Sequence, residues 1–400
     1  MNPNFNPTTH PISTLFSTVP DRNQPALQWV EGIRYGQHEA FFHLGVSKQH
    51  RLQALHTAFA KGGIRKVCVG SAFHSCLPLS NRDLVALSHN KVGAEDLVVE
   101  RFDTNRLRES DPARQEQLIA DLAGCIVILN NNEMSNPEVR AGYTALYERC
   151  THTCFVGWDW DNHHWLDLST FLATHTDVYV PAHHENLYLL TRFNPLVAGP
   201  VYAPCVQWTR TFLADHVGHM VSVERSNAPL GKHAQYALYD YRRRVVLTLS
   251  QIYPSIGFSN GYWAQTPLER LYEWCGHKTH WIVPVLNDIP IRLFDALITG
   301  GIPIVPDSLR FLPPIRDIPR EMIVFYSTHD IINPAPLVAY ANRLFDEGGK
   351  DGIVARHRYA LDHHHAYASL RQMLGFAQEA LHSRWGLPIR GEPATEQPQA

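Results

Sequence analysis

Residues Trp281–Asp307 read WIVPVLNDIPIRLFDALITGGIPIVPD, and the order of residue types in this stretch decides the fold class. Trp281–Leu286 is a short apolar run with the length and β-branched content of a buried strand. Asn287 and Asp288 break it with turn and N-cap chemistry, and Pro290 suits a first helical turn, where a missing N–H costs nothing. Arg292–Thr299 has helical periodicity, with Leu293, Phe294 and Leu297 sharing one buried face. Gly300-Gly301 ends the helix, because glycine takes the left-handed position after a helix without strain. Ile302–Val305 is the next apolar strand, closed by Pro306 and Asp307. Strand, polar loop, short helix, double glycine and strand make one βαβ unit of a parallel sheet.

Working outward, the same alternation recurs on both sides. Upstream, strands are expected at Phe41–Val46, Ile64–Val69, Leu97–Glu100, Cys125–Leu129, Cys154–Trp158 and Asp177–Pro181. Helices are expected at His50–Lys61, Gln115–Leu122 and Pro137–Cys150. A Pro/Gly-punctuated stretch, Val197–Val206, marks a boundary. A second series is expected to begin with a strand at Met220–Val223, then the loop Glu224–Lys232, a helix through Arg244 and a strand at Val245–Leu249. Beyond the opening unit come a strand at Met322–Tyr326, a helix at Pro336–Phe345 and a last helix within His364–His382. The expected fold is α/β, with two Rossmann-like doubly wound domains at residues 29–205 and 206–385. An extended arm at 1–28 and a polar, Pro-rich, disordered tail at 386–400 flank them.

Composition narrows the function classes. Four hundred residues suit two cores better than one, and 44% hydrophobic with 18% charged residues is globular. A net charge of −3 offers no global attraction to nucleic acid or to an anionic membrane, so membrane association is expected to be peripheral at most. The chain has no 18-residue apolar run, and its first residues lack the basic and apolar regions of a signal peptide. Seven cysteines without framework spacing suit free thiols, and a cytoplasmic location is expected. Histidine is abundant, at 24 residues. Neither HExxH nor a CxxC pair occurs, and Cys150-x-His152-x-Cys154 is the nearest metal-like spacing. The P-loop, GxGxxG and Gly-x-Ser-x-Gly patterns are also missing, which argues against NTPase, dinucleotide and serine-hydrolase chemistry.

In doubly wound sheets the functional loops lie beyond the carboxyl ends of the strands. That singles out Ser71–Ser75, Asn130–Glu133, Asp159–His164 and Val180–Glu185 in the first half. Asp159-Trp-Asp161 follows an apolar strand, and two carboxylates at this spacing match a divalent-metal site. The same loop, through Asp159, Asp161 or His163, also suits a general base on a hydroxyl, as do His183 and Glu185. In the second half, Glu224–Lys232 (ERSNAPLGK) offers Arg225 and Lys232 to an anionic ligand, Arg as a planar fork and Lys as a point charge.

The segment Arg292-Leu-Phe-Asp-Ala-Leu-x-x-Gly-Gly-Ile-Pro-Ile-Val-x-Asp307 resembles the donor-binding signature of GT-B glycosyltransferases. It is most like the exostosin-like pattern and next the group 1 pattern, whose core is Phe-Glu-Ala-x-x-x-Gly-x-Pro-Val. Where group 1 enzymes often carry a second Glu, this chain has Asn287 with Asp288 beside it. The resemblance implies a metal-independent glycosyltransferase whose two domains face each other across a cleft, with a nucleotide-sugar donor as co-substrate and no cofactor. The acidic residue before the Ala grips the nucleotide ribose in such families, and that role falls on Asp295. Arg292, the Gly300-Gly301 turn, Arg225 and Lys232 complete the implied donor site. The acceptor, a glycan or lipid-linked glycan of surface polysaccharide or glycoconjugate biosynthesis, is implied on the first domain, with the base among Asp159, Asp161, His163 and His183. Three alternatives stay open: a GT-A-like Mn²⁺-dependent transferase using Asp159 and Asp161, a nucleotide-sugar epimerase of GT-B architecture, and a non-catalytic glycan-binding module.

Overall fold

A computed structural model describes residues 38–70, 79–88, 91–92, 95–160, 166–184, 194, 196–202, 204, 207–235, 240–259, 264–285 and 288–382. Among these, residues 38–201 with 370–382 form one compact unit, and Tyr202–Ser369 form another.

The first unit opens with α1 (His38–Gly62) and β1 (Lys66–Gly70), followed by α2 (Asn81–Ser88) and β2 (Val98–Phe102). Then come α3 (Pro112–Leu122), β3 (Cys125–Asn130), α4 (Pro137–Arg149), β4 (Cys154–Asp159), α5 (Leu166–Thr174) and β5 (Val178–Pro181). These five strands form one sheet in the order β2-β1-β3-β4-β5, parallel at every pairing, and a short antiparallel pair just ahead of β2 in sequence joins Lys91–Val92 to Glu95–Asp96. Both faces are covered. Cys125, Val127 and Leu129 pack with Leu118, Leu122, Val139 and Tyr143, while the alternate residues Ile126, Ile128, Val67 and Val69 are equally buried. The strand expected at Phe41–Val46 is instead part of α1. Nothing between His38 and Lys61 except Gly45 opposes a helix, and Leu52, Leu55 and Phe59 continue its buried face at helical spacing.

The second unit runs α6 (Arg210–Ser222), β6 (Gly231–Ala234), α7 (Asp240–Ser250), β7 (Ile256–Ser259), α8 (Pro267–Cys275) and β8 (Thr279–Trp281). It continues with α9 (Ile291–Ile298), β9 (Ile302–Pro306), β10 (Val324–Tyr326), α10 (Thr328–Ile332) and α11 (Ala335–His363); α12 (Ala366–His382) follows and ends in the first unit. Strands β8, β9 and β10 pair in parallel, as do β6 and β7. Leu230, just ahead of β6, joins the two groups: its N–H donates to Thr279 and its carbonyl accepts from Trp281. The order is thus β7-β6-β8-β9-β10, the same as in the first unit. Ile302 and Ile304 pack on α7 and α11, whereas Val305 packs on α8 and α9, so helices cover both faces here too.

The Trp281–Asp307 stretch forms the helix and second strand of its expected βαβ unit as α9 and β9, while the first strand, β8, is Thr279–Trp281 and shares only Trp281 with the expected Trp281–Leu286. The two glycines have different tasks. Gly300 has φ +76° after the helix end. A Cβ on Gly301 would come within 2.5 Å of Cδ2 of His280, whose buried ring stacks on Trp274 at 4.7 Å and 9°.

The start of the second series differs from expectation. Met220–Val223 lies at the end of α6, and Val245–Leu249 lies inside α7. In α7 the buried residues are Arg242, Val245, Val246 and Leu249, a helical spacing that overrides the β-preference of valine. The real strands, Gly231-Lys-His-Ala234 and Ile256–Ser259, have little β-propensity in the first case, and it is formed by its parallel neighbours. Among the described residues no helix is long and apolar enough to cross a membrane.

Candidate functional site

Strand order reverses between β1 and β3 in the first unit and between β6 and β8 in the second. Ligands of doubly wound sheets bind beyond the carboxyl ends of strands at such points. Each unit gathers polar residues there.

In the first unit Asn130 ends β3 and caps the turn that follows. Its Oδ1 accepts the Asn132 N–H at 2.9 Å, and Glu133 accepts the Asn130 N–H at 2.7 Å, a reciprocal capping box. This holds the Glu133 carboxyl against the end of β1, where a Cβ on Gly70 would lie 2.7 Å from Cδ of Glu133. Asn131 is fully buried, and its Oδ1 accepts the Trp160 N–H at 3.1 Å, tying the exits of β3 and β4 together. Asp159, the last residue of β4, is also fully buried and accepts the hydroxyl proton of Tyr179 on β5. Trp160 meets Trp158 edge to face at 5.1 Å. His183 lies half-buried just beyond β5. Of the four implied base candidates, the structure brings Asp159 and His183 to one sheet edge, while Asp161 and His163 lie outside the described residues, as does Glu185.

In the second unit three cationic residues lie on β6 or bond to its backbone. Lys232 lies on the strand itself and pairs with Glu273 of α8 at 3.2 Å, with about a third of its side chain exposed. Arg292, in the first turn of α9, donates its Nε to the Lys232 carbonyl. Arg242 of α7 is buried and donates to the carbonyls of Ala234, at 2.9 Å, and Val283, at 3.0 Å, spanning the point of reversal from beneath. Their field is felt by His233, whose pKa is pushed well below the usual value by burial first, then by Arg242 and Arg292.

The other implied donor residues are placed elsewhere. Asp295 is fully buried one turn into α9, in an ion pair with Arg270 of α8 at 2.6 Å. Arg225 precedes β6 rather than following a strand, so it sits at the amino edge of the sheet. There its guanidinium donates to the carbonyls of Met220, His277 and Thr299, at the ends of α6 and α9. Gly300 and Gly301 lie at that same end of α9, about 12 Å from Arg292 at 1.5 Å per residue. The six residues therefore divide into Lys232 and Arg292 at one edge, Arg225, Gly300 and Gly301 at the other, and Asp295 between them.

Cys150 and Cys154 are buried, whereas His152 is exposed with its ring on the Thr151 hydroxyl. Among the described residues no group of three or more His, Cys, Asp or Glu side chains is arranged to hold a metal. Sequence reasoning missed Arg242, Glu273 and Tyr179, and reached Asn131 only as part of the Asn130–Glu133 loop. The readable signals were a charged residue on the buried stripe of α7 and the Asn130-x-x-Glu133 capping pattern. The chain matches no protein-family model, and no curated protein matches it.

Proposed function

We propose that this protein is a glycosyltransferase of the GT-B type, taking a nucleotide-sugar on the second unit and passing the sugar to a glycan held by the first. The observation that carries the reading is the grouping of Lys232, Arg242 and Arg292 around β6, a strand at the point where strand order reverses. Negative charge grows on the departing nucleoside diphosphate during glycosyl transfer. Cations already fixed by Glu273 and by backbone carbonyls stabilise that charge without reorganising. The N-terminus of α9, the helix that carries Arg292, adds its own positive end. Support also comes from the Arg292–Asp307 resemblance and from the repeated sheet order. The five described cysteines are free buried thiols, which suits the cytoplasm.

The test is a thermal-shift screen of the full chain against UDP-, GDP-, CMP- and dTDP-sugars, with and without EDTA. One donor at about 100 times its dissociation constant is expected to add roughly 2.7 kcal/mol. Lys232→Ala should weaken that donor roughly tenfold while leaving the free nucleoside unaffected, since a charge on phosphate does not read the base. EDTA should change nothing. No stabilisation by any nucleotide-sugar would overturn the proposal, and a shift abolished by EDTA would move it to a metal-dependent transferase.

A further inference from the structure

Helix α11 is broken near its middle. Gly349 has φ +52° and ψ −148°, a conformation open in practice to glycine alone, and the hydrogen-bond ladder of a helix cannot cross it. The helix therefore restarts at Lys350 and runs on to His363, and the N–H groups of its new first turn have no carbonyl one turn behind them.

Glycines leave this restart open to solvent. Gly348, Gly349 and Gly352 are half-buried, and Lys350 among them is exposed. A Cβ on Gly349 would meet nothing within 4 Å, and one on Gly348 would meet only Nη1 of Arg356, at 3.6 Å. A Cβ on Gly352 would sit over the guanidinium, 3.2 Å from Nη1 and 3.7 Å from Cζ and Nη2. The missing side chains thus leave a surface notch whose floor is Arg356.

That guanidinium has no carboxylate partner among the described residues. Arg356 is 2% exposed; its Nε donates to the Gly300 carbonyl at 2.8 Å, but Nη2 is buried with no acceptor. A second buried cation, Arg225, lies near the same ring, with the Arg225 and Arg356 Cζ atoms 5.3 and 4.9 Å from the centre of Phe345. Burial, and then Arg225, push the Arg356 pKa down to about 10. A buried charge without a counter-charge is costly, and a bound anion would relieve it. The acids nearby do not take that place: Asp346 pairs with Lys278 at 2.8 Å, and Glu347 and Asp351 are exposed, where water and salt screen them. The two oxygens of a carboxylate lie in one plane. The tetrahedral oxygens of phosphate can meet the N–H groups of a helix start on one side and a guanidinium on the other.

We propose that Gly348-Gly-Lys-Asp-Gly352 and Arg356 form a binding site for a phosphate group, free or as a monoester. The site lies by Gly300 at the amino edge of the sheet, opposite the edge of Lys232 and Arg292. It is therefore separate from the donor site and does not rest on glycosyl transfer.

Isothermal titration calorimetry on the full chain, at constant ionic strength, tests this with inorganic phosphate, glycerol 3-phosphate and acetate. At least one phosphate probe is expected to bind below about 1 mM, with acetate at least roughly tenfold weaker. Gly352→Ala fills the notch with one methyl group and suits a helix better than glycine does, so it should fold and weaken phosphate at least roughly tenfold. Arg356→Met removes the charged floor without stranding a buried ion and should weaken phosphate by as much. Circular dichroism checks both folds, and if one variant does not fold, the other decides. Tighter binding of glycerol 3-phosphate assigns the site to esterified phosphate, and tighter binding of inorganic phosphate to the free ion. Silence from both phosphate probes, acetate binding as tightly as phosphate, or unchanged phosphate binding in either folded variant overturns the inference. The last of these outcomes would place the phosphate elsewhere on the chain.

Discussion

Replacing Asp295 with Ala leaves the Arg270 guanidinium buried without its carboxylate. The pair is 2.6 Å apart, with side chains 4% and 0% exposed, so solvent cannot enter to take over the charge. Breaking a buried pair by removing one partner costs about 3–5 kcal/mol. A unit of this size loses roughly 2–4 °C of melting temperature per kcal/mol, which gives a drop of about 6–20 °C. Urea unfolding followed by tryptophan fluorescence reads the loss, because Trp274 packs beneath Arg270, its ring centre 5.0 Å from the guanidinium carbon. Asp295→Leu combined with Arg270→Met removes both charges and should return stability to within about 1–2 kcal/mol of the parent. The resemblance assigns Asp295 to ribose binding, which would leave stability untouched and weaken nucleotide instead. A single Asp295→Ala variant within about 1 kcal/mol of the parent in urea would refute the buried-pair argument, since that is the value of an exposed pair.

Two further outcomes follow from buried groups. Gly301→Ala should destabilise by about 1–3 kcal/mol, because its methyl group would meet the His280 ring that Trp274 already backs; denaturant midpoints equal to the parent's would contradict that close approach. Acid should unfold the second unit early. Burial lowers the pKa of His233 and His280 well below the usual value, with nearby cations adding to it, and lowers that of His364 to about 3, with His363 adding. The unfolded chain then binds protons that the folded chain refuses, so this stability is complete above about pH 6.5 and falls as pH falls, for His364 down to about pH 3. At pH 5 His364 alone costs about 2 kcal/mol, and His233 and His280 act in the same direction. Urea midpoints at neutral pH and at pH 5 check this, and equal midpoints would rule it out.

The Trp281–Asp307 stretch was readable because its punctuation is local: Pro290, Gly300 and the apolar runs act within a few residues of themselves. Strand order was not readable, since it depends on pairings such as Leu230 with His280 that lie far apart in sequence. Strand β6 was hidden for the same reason, as Gly-Lys-His-Ala has no strand signal of its own. Missing β6 put Lys232 in a loop and placed Arg225 after a strand rather than before one, at the wrong edge of the sheet. Arg292 was named only through the resemblance, and Lys232 as a basic residue in a loop expected before a helix. Arg242 was passed over within the expected helix through Arg244, because the valines after it read as a strand and hid the buried stripe it shares with them.

The first unit includes residues 370–382, which are synthesised only after the whole second unit. Leu370, Met373, Leu374, Ala377 and Leu381 are buried in this segment, so it belongs to the packed structure and is no loose appendage. During synthesis the first unit therefore stays open at one place while the second can complete. A nascent chain stalled short of Leu370 would carry exposed apolar surface on its earlier half, a state that invites chaperone capture. Joining segments so distant in sequence also raises the contact order of the first unit. Of the two units, the one begun earlier is completed later.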